Sequence, residues 1–189
     1  MNTIEQGELF PYSDIREYVY DGMICFFKAI TFKQKIISWC TGGKFSHVAM
    51  TTWMKDSQGI ARLMVIESTN GGVRLVNLRS YMGREVLLVN IGLDWDRIAQ
   101  YAMDKAGVVH YSIPDFIWIG IKDILVKLGL KDLAKYVPNE EGEVCSEFVA
   151  DLLRNSGFGI EDTLISPQGL YKIIENNSWA QHTLRVLLS

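Results

Sequence analysis

Histidine, cysteine and proline are scarce in this chain: three, three and four residues among 189. The cysteines, Cys25, Cys40 and Cys145, are odd in number and far apart, and none belongs to a C-x-x-C pair. That argues against a disulfide framework and fits a free thiol or a reducing compartment. The histidines, His47, His110 and His182, share no ligand spacing with the cysteines, so no metal site is expected. No cofactor is expected either. Positive charge is not in excess: 19 Lys and Arg stand against 22 Asp and Glu, for a net charge of −3. Nucleic acid is thereby disfavoured as the main partner. No window of ~18 apolar residues runs without charge, so no membrane-spanning helix is expected. The opening MNTIEQGELFPYSDIREYVYDG has no basic stretch followed by an apolar core and does not read as a secretory signal. The expected location is the cytoplasm by default, or wherever a phage or secretion device delivers the protein.

What is present is ordinary globular composition, 48% hydrophobic and 22% charged. It implies one domain over 1–189, with 1–21 as a polar lead-in that has a short helical piece at Asp14–Tyr20. Met23–Lys28 reads as a buried strand and Phe32–Cys40 as a helix ended by Thr41-Gly42-Gly43. HVAMTTWM (47–54) and IARLMVIE (60–67) read as a hairpin around the polar loop KDSQG. VRLVNL (73–78) and EVLLVNI (85–91) are further strands. Asp94–Lys105 reads as a helix capped by Asp94, with Gly107 just past its end. The segment 113–130 is a strongly apolar helix candidate, suited to a core or, through its wide apolar face, to a lid or a membrane surface. Core packing is the favoured reading of it. Ser146–Leu153 begins another helix, and Ser166-Pro167 starts a last one through Ile174. Strands cluster in the first half and helices follow, which is an α+β order and not a βαβ order.

Folding the hairpin about Ser57 sets His47 opposite Glu67 on one face, together with Ala49, Thr51, Trp53, Val65, Leu63 and Ala61. A one-residue slip would separate the two. Alone, His47 reads as a satisfied structural histidine and Glu67 as an exposed strand-end carboxylate. Together they form an imidazole and a carboxylate closing an otherwise apolar face, which is unfavourable unless they pair. Cys145 falls where EEGEVCSEFVADLL turns into a helix. A helix start favours the thiolate, the reactive form, and its amides can hold an oxyanion. Against this stand Glu140, Glu141, Glu143 and Glu147, and a lone cysteine before a helix is often just a small buried residue. Cys25 and Cys40 read as structural.

The pieces DGMICFF (21–27), KFSHVAM (44–50), VIEST with GGVRLVNL (65–78), AGVVHYSIPDF (106–116), VCSEFVADLL (144–153) and SPQGL (166–170) give the chain its likeness. It resembles the circularly permuted papain-like cysteine amidases, YiiX/YaeF-like relatives of the NlpC cell-wall peptidases. The histidine strand comes first and the cysteine helix last. The resemblance implies an antiparallel, barrel-like β-sheet packed against the helix that carries the cysteine. It implies Cys145 as nucleophile, His47 as general base and Glu67 as its orienting group. Tyr111 and Ser146 would line the substrate or oxyanion pocket, with the Cys145 amide as an oxyanion donor. The implied reaction is acyl transfer through a thioester, with a peptide or amino-acid amide, including cell-wall peptide, as substrate. An acidic rim of Glu140, Glu141 and Glu143 would suit a free amine on it.

Two other readings compete. One is a lipid acyltransferase or phospholipase of the lecithin:retinol acyltransferase group, meeting a membrane surface through 113–130. The other is a non-catalytic papain-like binding or structural module, for instance in a phage particle.

Overall fold

The computed structural model describes residues 9–31, 35, 43–69, 72–107, 145–161 and 165–188. Seven strands form one sheet: β1 (Leu9–Pro11), β2 (Ile24–Lys28), β3 (Phe45–Lys55), β4 (Ala61–Thr69), β5 (Gly72–Asn77), β6 (Glu85–Asn90) and β7 (His182–Leu187). Among the described residues four helices accompany them: α1 (Tyr12–Ile15), α2 (Trp95–Lys105), α3 (Cys145–Asn155) and α4 (Pro167–Asn176). The order across the sheet is β1-β7-β6-β2-β3-β4-β5. Only β1 and β7 run parallel; the other neighbours are antiparallel. The α+β class expected from the strand and helix order therefore holds. The barrel-like closure does not: β1 and β5 are edges, and the sheet stays open.

Alternation along the strands gives the sheet two apolar faces. Ile24, Phe26, Val48, Met50 and Ile66 point to one side, where they meet Phe148, Val149, Leu152 and Leu153 of α3 and Leu170, Tyr171 and Ile174 of α4. The α3 stripe begins with Cys145 itself. Cys145, Phe148, Val149, Leu152 and Leu153 recur at helical spacing and all are buried. Cys25, Phe27, Ala49, Leu63, Val65, Val86 and Leu88 line the other face. Ile15, Val19 and Leu78 cover part of it. The lead-in is thus built into the fold: β1 joins the sheet, and Trp53 Nε1 donates to the Val19 carbonyl at 2.8 Å.

Several element ends follow from local chemistry. Ser166 Oγ accepts from Gly169 N at 3.0 Å, and Pro167 takes the first turn of α4. Gly157, at φ +93°, closes α3 in a conformation other residues avoid. Asp94 precedes α2 as expected, yet its side chain makes no capping hydrogen bond. β1 and β7 escaped the sequence reading, whereas the helix expected at Phe32–Cys40, apart from Lys35, and the candidate at 113–130 lie outside the described residues.

The hairpin forms with a different register. Trp53 pairs with Leu63, where folding about Ser57 would set it opposite Ala61. The cause is the turn. Asp56 Oδ1 accepts from both Gln58 N and Ile60 N at 2.9 Å, and Asp56 N donates to the Ile60 carbonyl at 3.0 Å. This centres the turn on Gln58. Continued one step past Met50 and Ile66, the register sets Ala49, not His47, opposite Glu67. An offset of two residues keeps every side chain on its face, so His47 and Glu67 become diagonal neighbours, still within side-chain reach.

Candidate active site

His47 stands near the start of β3, beside a bulge between Phe27 and Lys28 of β2. The chain enters this strand under tight control. Gln168 of α4 accepts from Lys44 N at 3.0 Å, and a Cβ on Gly43 would fall 2.0 Å from the Gln168 side chain. Any larger residue there would force the Gln168 side chain out of this position. The His47 ring lies 5.4 Å from the Phe27 ring and 6.2 Å from that of Tyr81.

Its Nε2 donates to Glu67 Oε2 at 2.5 Å. Glu67 is fully buried, at 0% exposure. The same oxygen accepts from the Tyr81 hydroxyl, and Oε1 accepts from Arg74 Nε at 3.0 Å, with Arg74 Nη2 2.9 Å away as an ion pair. Burial is the largest single influence on this carboxyl and pushes it up. The His47, Tyr81 and Arg74 hydrogen bonds and the His47 charge outweigh burial and hold it below the usual carboxylate range.

The Cys145 thiol, buried at the first residue of α3, is the third member of this cluster and acts on the protonation of His47. Burial, again the largest influence, lowers the His47 pKa. Cys145 and Glu67 together more than reverse this and raise it to about 9. Of the three residues singled out from the sequence, His47 and Glu67 are joined by a hydrogen bond, and Cys145 is near enough to His47 to raise its pKa. Arg74 and Tyr81 did not stand out in the sequence; the only available signal was Arg74's place across a short turn from Glu67.

The remaining candidates are placed differently. The Ser146 hydroxyl is fully buried and donates to the Ile165 carbonyl, tying α3 to the approach of α4. Tyr111 and the acids at 140, 141 and 143 lie outside the described residues. Cys25 is buried in β2, and burial first, then the Glu67 charge, push its thiol far up, consistent with a structural residue.

No protein-family model matches the chain, and no curated protein matches it. A solved structure does: the metalloprotein YiiX from Escherichia coli O157:H7, with TM-score 0.54 and 18% identity over 90% of this chain and 97% of that one. The chain has a YiiX-like fold. Among the described residues, no helix is long and apolar enough to cross a membrane.

Proposed function

We propose that this chain is a cysteine hydrolase that cleaves an amide bond, in a peptide or amino-acid amide, through a thioester on Cys145. The observation that carries the reading is His47, hydrogen-bonded to a buried carboxylate and influenced by a thiol at a helix start. Nucleophile, base and orienting group in that order form a working acyl-transfer set.

In the reaction, the Cys145 sulfur, as thiolate, attacks the carbonyl carbon. The oxyanion that forms is met by the Cys145 backbone amide at the N-terminus of α3, where the helix dipole favours negative charge. His47, protonated up to about 9, gives its Nδ1 proton to the amide nitrogen as the C–N bond breaks. The amine leaves and a thioester remains. Water then attacks the thioester and loses a proton to the neutral imidazole. The acid departs, and the thiolate and imidazolium are restored. Glu67 keeps its charge throughout.

The neighbour YiiX is a metalloprotein. The donors here do not fit that role. Among the described residues no three His, Cys, Asp or Glu side chains are grouped to hold a metal ion. In the nearest set, Cys145, His47 and Glu67, the imidazole is already bonded to Glu67, and both Glu67 oxygens already accept from His47, Tyr81 and Arg74. No step is routed through a metal.

The test is alkylation of Cys145 by iodoacetamide across pH, in wild type and His47→Ala, with the modified residue located by mass spectrometry. At about pH 6 the wild type is expected to react at least about tenfold faster. Peptide amides and amino-acid amides then serve as substrates, with Cys145→Ala as the blank. Equal alkylation in the two proteins sinks the proposal.

A further inference from the structure

The Glu67 carboxylate is engaged at both oxygens. His47 Nε2–H and the Tyr81 hydroxyl donate to Oε2, and Arg74 Nε–H donates to Oε1 at 3.0 Å. The Arg74 guanidinium also lies against Oε1 as an ion pair, with Nη2 at 2.9 Å. This arrangement favours the ionised form, because a protonated carboxyl gives up the ion pair and one acceptor site.

Two of the partners come from one short piece of chain. Arg74 pairs directly with Glu67 in the β4–β5 ladder. Tyr81 ends the 3-10 turn Leu78–Tyr81 that follows β5. Its ring is fixed between others: Phe27 lies 4.3 Å away, and the Arg84 guanidinium sits 5.5 Å from its centre. Arg84 in turn donates to the Lys28 carbonyl at 2.9 Å. Burial first, then the Glu67 charge, push the Tyr81 hydroxyl well up, so it stays a donor. The groups that feel the Glu67 charge are His47, Arg74, Tyr81, Arg84 and Cys25, with Cys145 acting through His47.

We propose that Tyr81 and Arg74 are positioning residues that keep Glu67 ionised and aimed at His47 Nε2. This rests on the Cys145–His47–Glu67 reading and names the groups that sustain it. A carboxylate buried with one imidazole partner has open lone pairs and takes up a proton readily. Fixing it fixes the imidazole as well, with Nε2 as donor.

The test reads Glu67 itself. In protein labelled with carbon-13 at the glutamate carboxyls, the Glu67 resonance is assigned by its loss in Glu67→Gln. It is then titrated in wild type, Tyr81→Phe, Arg74→Met and Arg74→Lys, alongside Cys145 alkylation by iodoacetamide. The midpoint is expected to rise by about one unit or more in Tyr81→Phe and Arg74→Met, and to return most of the way in Arg74→Lys. Alkylation at about pH 6 is expected to fall several-fold in the same two variants. Lost packing alone leaves the Glu67 midpoint in place. An unmoved midpoint in folded Tyr81→Phe and Arg74→Met overturns the positioning role, even where His47→Ala still silences Cys145 and the hydrolase reading stands. Equal alkylation of Cys145 in wild type and His47→Ala sinks the hydrolase reading and this role with it. Tyr81→Phe removes a single oxygen, so it decides the matter if Arg74→Met does not fold.

Discussion

Cys25 and Cys145 are both buried, at 0% and 1% exposure, and both lie under the influence of the Glu67–His47 pair. Cys25 sits mid-strand in β2 among apolar neighbours and feels the carboxylate directly. Cys145 opens a helix and meets the imidazole. One thiol faces the negative end of the pair and the other the positive end. Burial is common to both, so burial cannot separate an inert cysteine from a nucleophile. On the proposed reading, what separates them is the neighbour: a carboxylate for Cys25 and an imidazole at a helix start for Cys145.

The largest expected break in that contrast is Cys145→Ala. Hydrolysis should fall by about a thousandfold or more, measured with an amide substrate, whereas Cys25→Ala should leave kcat near the wild-type value. Next comes pH. As it rises through about 9, His47 loses its proton and the leaving amine loses its acid, so kcat should decline on the alkaline side. The same proton is linked to folding. The unfolded chain releases it near 6.5 and the folded one near 9. The stability it contributes is complete below about 6.5 and gone above about 9. Thermal melts across this window should show the loss, and His47→Ala should flatten it. Glu67→Gln sharpens the comparison because it should move the two thiols in opposite senses: Cys25 becomes easier to ionise, and Cys145 alkylation slows several-fold. The smallest effect belongs to Cys25→Ala in a denaturant melt, a loss of about 1 kcal/mol from a small core cavity.

Much of this site was legible as pattern. Alternation in β3 and β4 put His47 and Glu67 on one face, and the buried stripe of α3 ran back to Cys145. The register was not legible, because it hangs on which amides the Asp56 carboxylate accepts. Nor was the support of Glu67. Arg74 reads as an ordinary exposed strand residue, and over half of its side chain is indeed exposed, at 56%. Tyr81 lies in a turn whose return toward the sheet depends on Phe27 and Arg84, far away in sequence. β1 and β7 were missed because β1 spans three residues and finds its only partner at the opposite end of the chain.

The strand that leads to the Asp56 turn gives the site an unexpected dependence on parity. His47 lies nine steps back along the strand from Asp56, about 30 Å at the usual rise. A single residue inserted in that stretch of strand, with the pairing at Asp56 kept, would flip the alternation and carry the imidazole to the far side of the sheet from the carboxylate. One inserted among Ser57, Gln58 and Gly59 would only lengthen the loop that the Asp56–Ile60 bond closes. The strand is therefore intolerant of odd changes in length, and the turn that looks so specific is not.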